Sequence, residues 1–450
     1  MWKRSLTWSC VSIVLLAAVL AGCSTESYVA EAAREARFVR KIPWAGGGVW
    51  LKSDTHMHTR FSDGAHTVDE VAAKAVEFGC DVIAITDHGD SKLRAATKEY
   101  QQAIDDAREK YGDLIVLAGI EWNMPPWGGD EHVTALVPPG PREWNTLKVL
   151  KQRFDDWNRD QHETELADEA LRWLARQADV GGQGPLLMNN HPSRQRAMSI
   201  ELVADMEHWR GINDIMIGFS GAPGHQAMTP IGAYKYNERK VINRWDPAAA
   251  VVGDAWDTLL GKGYDVWGAR APSDFHKYGE KKPADYWPGQ FSETWLYAPD
   301  RSAEGTFKAL QAGSFFAAHG HIVRQVELRV EAEGLSRAAI PGEVIEVPVR
   351  ARVAVSVDMQ VPPEDWLDEP NQIDQLELIA VTPGIGAEIV ATVQPKVGAP
   401  TPLEEMVVPE RGLVLRARGR RTIDDGPDLM FYTNSIRITV SWNKEQRGQN

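Results

Sequence analysis

A chain of 450 residues, 43% hydrophobic and 25% charged, has length and apolar content for a full core and for two domains, which excludes a largely disordered polymer. Its formal net charge of −14 repels polyanions, so a nucleic acid polymer is not an expected partner. A local basic pocket for a small anion remains compatible with that balance.

The first segment in chain order is a processing signal. Lys3 and Arg4 precede an apolar stretch from about Val11 to Leu20, closed by Leu20-Ala21-Gly22-Cys23; basic, then apolar, then small residues is the order of a secretory signal. The stretch is shorter than the ~20 apolar residues that a single membrane-spanning anchor requires. The ending resembles the bacterial lipobox, which implies that residues 1–22 are removed and that Cys23 carries lipid. Ser24 in place of an aspartate implies a periplasm-facing lipoprotein of the outer membrane rather than the inner. Cys10 leaves with the signal, so Cys80 is left without a disulfide partner within the mature chain. Stability then rests on the core and on bound metal.

Residues 23–48 read as a polar, Ala- and Glu-rich helix or tether ending in Gly46-Gly47-Gly48. From Val49 the pattern becomes strand, helix, strand. Val49 to Lys52 is a short strand, and Thr67-Val68-Asp69-Glu70 is a capping box that opens a helix ending at Gly79. Val82 to Thr86 is a buried strand, Lys92 to Lys110 a helix, and Leu114 to Ile120 a further strand. Candidate ligands follow each strand directly: Asp54 to His58, then Asp87 and His88, then Glu121. Leu186 to Met188 precedes Asn190 and His191 in the same way, and Trp267 to Ala271 precedes Asp274 and His276. Strands alternating with helices predict a parallel sheet, and polar residues at the carboxyl ends of its strands predict the active face of a β/α barrel.

Between Pro139 and Gln183 the rhythm breaks into a charged helical stretch with Trp144, Trp157 and Trp173. Tryptophans on amphipathic helices mostly pack, so an insertion packed on the barrel is expected ahead of a lid over its mouth. Asp246-Pro247 opens another helix, and Ser302 to Ala312 is the last clear one. After about Gln325 the segments Val326–Val330, Val344–Val357, Leu376–Val381, Ile389–Val393, Gly412–Ala417 and Ser435–Val440 are short, alternating and divided by Pro and Gly, the pattern of a β-sandwich. The expected organisation is therefore a barrel over 49–325 and a β-rich domain over 326–450, the latter structural or substrate-positioning.

His56-Met57-His58 places two imidazoles on one side of a strand end, because strand side chains alternate with period two. With Asp63-Gly64, Thr86-Asp87-His88, Glu121, His132 opening an apolar strand, His191-Pro192 and Ser273-Asp274-Phe275-His276, the chain resembles the PHP superfamily, named for polymerase and histidinol phosphatase, over roughly residues 49–325. The resemblance implies an α/β fold, a distorted barrel of seven strands. It also implies that His56, His58, Asp63, His88, Glu121, His132, His191, Asp274 and His276 hold two or three metal ions, with Glu121, His88 and Asp274 closest to the chemistry. Six imidazoles and three carboxylates suit zinc, manganese or iron better than calcium or magnesium, and a water between two such ions loses a proton readily. Asp87 reads either as a further ligand or as a group orienting a neighbouring imidazole. His66, His162, His208, His225, His319 and His321 match no motif and read as surface or core residues, with His66 and His225 the two that could approach the site.

Arg60, Arg194 and Lys277 lie beside the ligand motifs and could neutralise an anionic substrate, or equally form surface ion pairs. Arg194 is the preferred phosphate contact, since Pro192 restricts the loop that presents it. The expected function is a metal-dependent hydrolase of the phosphoesterase type, acting on a small-molecule ester. Glu293–Ala298, Ala309–Phe315 and His319-Gly320 resemble the end of the barrel in the carbaryl-type branch of the superfamily, which implies a carboxyl ester or carbamate as the alternative substrate. A non-catalytic, metal-containing binding protein is the third reading.

Overall fold

Val82-Ile83-Ala84-Ile85 shows how the barrel is built, because all four residues are buried but on two different sides. Val82 and Ala84 join Leu51, Leu117, Leu136 and Leu296 in the barrel interior. Ile83 and Ile85 point outward to Val71, Tyr100 and Ile104 of the covering helices. A strand buried on both faces reads as a continuous apolar run, as this one does.

The structure, a computed structural model, describes residues 35–442 apart from 127–130, 158–162, 179–181, 195, 197, 235–239, 280–284 and 397. The segment expected as a secretory signal, Cys23 and the first part of the expected tether lie outside the described residues, as does His162. The strands in chain order are β1 Arg37–Arg40, β2 Val49–Asp54, β3 Val82–Ile85, β4 Ile115–Asn123, β5 His132–Val137, β6 Leu186–Asn189, β7 Met216–Phe219, β8 Ser292–Ala298 and β9 Phe315–His319. Helices α1 Val68–Glu77, α2 Lys98–Lys110, α3 Glu143–Val149, α4 Thr164–Ala175, α5 Ser199–Ile212, α6 Pro247–Ala250, α7 Ala255–Gly261 and α8 Ala303–Ala312 connect or cover them.

The barrel strands lie in the order β8-β2-β3-β4-β5-β6-β7. The gap between β7 and β2 is closed by the segment 267–275. On one side Trp267 N–H donates to Ile217 O and Ala222 N–H to Arg270 O; on the other Asp274 N–H donates to His56 O and His58 N–H to Phe275 O. Trp267 to Ala271, expected as a strand, is bridged only at Trp267, with Gly218, and the rest of the closing segment only at Phe275, with Met57. The approach is close: a Cβ on Gly221 would lie 1.9 Å from Gly268 O, so only glycine fits there.

The expected parallel sheet is a correction. β2, β3 and β4 pair in parallel, as do β6 and β7, but β5 is antiparallel to both β4 and β6, and β8 to β2. Eight residues separate β4 from β5, too few for the crossover a parallel pair needs. The reversal has a use: the first residue of β5, His132, comes to the end of the barrel where the parallel strands finish.

The capping box stands as the sequence suggests, with Thr67 Oγ1 accepting from Glu70 N–H and Glu70 Oε2 accepting from Thr67 N–H. α2 begins six residues later than expected, at Lys98, capped by Thr97. Arg94 N–H donates to Phe61 O instead, and its guanidinium to Arg60 O, which ties that stretch to the loop after β2. The tryptophan-rich insertion packs: Trp144 Nε1 donates to Ala96 O, Trp173 lies 5.5 Å from Phe154, and Phe154 is buried against Leu171 and Leu174. Trp157 is exposed.

Nine further strands follow, β10 Arg324–Ala332, β11 Val344–Pro348, β12 Arg352–Gln360, β13 Gln375–Thr382, β14 Gly386–Val393, β15 Thr401–Val407, β16 Leu413–Arg421, β17 Leu429–Thr433 and β18 Ile436–Ser441. The sheet β10-β12-β15 faces the larger one, and Leu328, Val353, Val355 and Leu403 meet Ile345, Leu376, Leu378 and Leu415 between them. Val344–Val357, expected as one strand, breaks where Arg350 takes a φ of 61°. Part of the expected tether is also a correction: Arg37–Arg40 pairs antiparallel with β11. The larger sheet continues through β17 and β9 into the barrel. Among the described residues no helix is long and apolar enough to cross a membrane.

Candidate metal centre

β4 carries Glu121 to the centre of the barrel mouth, where the side chain is 1% exposed. Its Oε1 lies 3.2 Å from His56 Nε2 and 3.2 Å from His132 Nδ1, and Oε2 lies 3.3 Å from His58 Nε2 and 3.1 Å from His88 Nδ1. His191 Nε2 is 3.6 Å from Oε1. On the opposite side Asp274 Oδ1 approaches His56 Nε2 at 3.1 Å and His58 Nε2 at 3.4 Å. Asp63 reaches in from the loop after β2, 3.7 Å from His88 and 3.4 Å from His276. All nine side chains expected as ligands are therefore brought to one end of the barrel.

Several of these nitrogens are close to a carboxylate without forming a hydrogen bond. His58 Nε2, His88 Nδ1 and His191 Nε2 are buried and have no hydrogen-bond partner. Leaving a buried polar atom unsatisfied costs about 1–3 kcal/mol, so three such atoms around one carboxylate are an arrangement for something else. Their lone pairs fit cations: His56, His58, Glu121 and Asp274 form one group within ligand reach, His88, Glu121 and His132 a second, and His58, Asp63, His88 and His276 a third. Imidazole and carboxylate together suit zinc, manganese or iron.

Local hydrogen bonds set the rings. His56 Nδ1 is 2.8 Å from Thr86 Oγ1, whose own hydroxyl donates to Met57 O. His276 Nδ1 is 2.8 Å from Asp274 O. Each pairing places the proton on Nδ1 and leaves Nε2 as a donor of its lone pair, the usual second contact of a metal-binding histidine. Asn190 gives Nδ2–H to Glu121 Oε1 at 2.8 Å while its Oδ1 accepts from Arg270 and Thr134. Arg270, fully buried beneath the mouth, also donates to Thr55 and Ser220. Sequence reasoning did not single out Arg270; a lone arginine in an apolar segment, Trp267 to Ala271, was the available signal.

Burial drives the Glu121 and Asp274 carboxyls upward, but the surrounding imidazoles outweigh it and hold both well below the usual carboxylate range. His88 is pushed down to about 3, first by burial and then by its neighbours His58 and His132. Both carboxylates are thus charged and His88 neutral, the states in which they coordinate cations.

Asp87 does not orient an imidazole directly. It accepts from Thr59 N–H, Thr59 Oγ1 and Ser62 Oγ, so it shapes the loop that bears Asp63. Arg194 lies at the mouth, Nη2 3.2 Å from Asp274 Oδ2 and Nε donating to Gly232 O. Arg60 and Lys277 are exposed; the Arg60 guanidinium donates to Ala65 O. His66 stays outside, packed beside Trp287, and His319 is enclosed by Trp245 and Phe291. His225, expected as able to approach the site but not as a ligand, does reach it, Nε2 3.4 Å from Asp274 Oδ2. Its signal was present: Met216–Phe219 is another apolar strand followed by a polar, glycine-rich turn.

Residues 54–206 match the sequence model of the PHP domain. Asp274 and His276 lie beyond that span and join it through the barrel's closing segment. A stretch of 85 residues is 32% identical to the DNA polymerase/3'-5' exonuclease PolX of Bacillus subtilis, covering 17% of this chain and only 15% of that protein. Among solved structures, a two-domain Bacteroides vulgatus protein containing a predicted PHP-like metal-dependent phosphoesterase aligns over 89% of this chain and 97% of its own, at 18% identity and a TM-score of 0.40. An amidohydrolase from Chromobacterium violaceum aligns over 52% of this chain and 90% of its own, at 16% identity and a TM-score of 0.33. At these scores neither structural likeness bears on the chemistry.

Proposed function

We propose that this chain, which carries a PHP domain over residues 54–206, is a metal-dependent hydrolase and that it cleaves phosphate esters of small molecules. The observation that carries this reading is the buried Glu121 carboxylate ringed by imidazoles, three of whose nitrogens have no hydrogen-bond partner. His56, His58, Asp63, His88, Glu121, His132, His191, Asp274 and His276 would hold two or three divalent cations, of zinc, manganese or iron. The chemistry that such ions supply when bound is acidification of water and stabilisation of negative charge gathering on the substrate.

The chain's own groups do the rest. Glu121, with Oε1 toward His56 and His132 and Oε2 toward His58 and His88, would be shared between the ligand groups, and Asn190 holds Glu121 in place by its amide. Arg194 is set in advance by Asp274 and Gly232, leaving further guanidinium N–H groups for an anionic oxygen of the substrate. Arg60 and Lys277 add positive charge at the rim. Those cations favour a phosphoryl group over a neutral carbonyl. The segments resembling carbaryl-type hydrolases form β8, α8 and β9, and support the mouth from behind: Thr294 Oγ1 accepts from Ala271 N–H.

Export as a lipoprotein anchored through Cys23, on the periplasmic side of the outer membrane, belongs to the same reading. Its check is fractionation: Cys23→Ser should release the chain from membranes, and an unchanged membrane fraction would contradict the anchor. For the activity, protein begun after Cys23 should lose turnover of nitrophenyl phosphates on verified removal of metal and regain it with manganese or zinc. Full activity in verified metal-free protein overturns the proposal. Faster turnover of nitrophenyl acetate or an aryl carbamate than of the phosphates would move the reaction to carbonyl carbon.

A further inference from the structure

His56 and His276 share one device: Nδ1 is tied to an oxygen and Nε2 faces the site. His225 has the same device with a stronger partner. Its Nδ1 lies 2.5 Å from Oδ1 of Asp285, a carboxylate that is wholly buried. The other oxygen of Asp285 accepts from His276 N–H at 2.7 Å and Lys277 N–H at 3.0 Å, so the carboxylate cannot swing away. An Asp-His pair in this relation fixes the tautomer that coordinates metal.

With Nδ1 turned to Asp285, His225 Nε2 faces Asp274 Oδ2 at 3.4 Å. A cation between that nitrogen and that oxygen would be within reach of both. The backbone is arranged for the approach: a Cβ on Gly224 would lie 1.8 Å from Asp274 Cβ, and His225 and Asp274 both take left-handed conformations, at φ 54° and 50°. Such conformations persist where the surroundings force them, commonly at functional sites. His225, Asp274 and His276 form a group with ligand atoms within 4.8 Å of one another, distinct from the groups that include Glu121.

We propose that His225, oriented by Asp285, is a tenth donor of the metal centre and completes a cation position with Asp274 and His276. This rests on the metal-centre reading above. Manganese alone is the probe: protein stripped of metal is reloaded, passed through gel filtration, and its manganese counted by mass spectrometry and titrated against a chelator. His225→Ala should carry fewer manganese ions per chain than the parent. Asp285→Asn, which keeps the imidazole but loosens it, should weaken the same ion by roughly 10- to 100-fold. His66→Ala, outside the site, should match the parent in count and affinity. If His225→Ala fails to fold, Asp285→Asn and His225→Gln carry the test. Unchanged count and affinity in the folded variants overturn the inference while leaving the centre intact. A parent chain that takes up no manganese overturns the metal-centre reading itself, and the inference with it.

Discussion

Glu121 and Asp257 are both buried carboxylates at 1–2% exposure, and their surroundings are opposite. Asp257, on α7, meets Arg416 of β16 in a paired contact, Oδ1 to Nε at 2.6 Å and Oδ2 to Nη2 at 2.8 Å. The guanidinium also lies over the Trp256 ring. That charge is answered within the chain. Around Glu121 the nearest titratable groups are imidazoles, three of which turn unpartnered nitrogens inward. One carboxylate joins two parts of the molecule, while the other is left with coordinating capacity that the chain does not use up.

The comparison can be broken at either end. Glu121→Gln keeps the shape but removes the charge that holds two groups of ligands together. The expected result is loss of several kcal/mol of catalytic stabilisation, roughly a thousandfold or more in turnover, together with lowered metal content and a nearly unchanged fold by circular dichroism. Asp257→Ala should do the reverse. It leaves the Arg416 charge buried without its partner, at a cost of about 3–5 kcal/mol in urea unfolding, with metal content retained in the folded fraction. Replacing both, as Asp257→Leu with Arg416→Met, should recover most of that loss; no recovery would mean that the pair serves more than charge balance. The smallest effect is expected at the cap of α1, which contacts neither carboxylate: Thr67→Ala should cost about 1 kcal/mol in unfolding and nothing in metal content.

Much of the mouth was legible because each ligand motif follows an apolar run, and the barrel places strand ends together. His132 was legible as the start of a strand, but not the reason it belongs, which is that β5 runs backwards. The alternation of strands and helices misled there, since pairing direction depends on the short link between β4 and β5 and not on composition. His225 was legible as a residue that could approach the site but not as a ligand, because its loop matches no motif and its partner Asp285 lies sixty residues on, a separation that only the fold closes. Trp267 to Ala271 has the composition of a strand, yet the segment 267–275 to which it belongs serves as a seam that bonds to β7, β2 and β8 at isolated points.

That seam also receives help from an unexpected quarter. Asn434, in the turn between β17 and β18, accepts from Ala269 N–H through Oδ1 and donates through Nδ2 to Gly313 O and Phe315 O. The amide is fully buried and holds the very strap that delivers Arg270, Asp274 and His276. The barrel is therefore not a detachable module: a chain stopped near residue 325 would expose one edge of β9, orphan these backbone groups and slacken the strap. Anyone seeking a minimal form of the metal centre would have to keep the strands that carry Asn434 or redesign what Asn434 does.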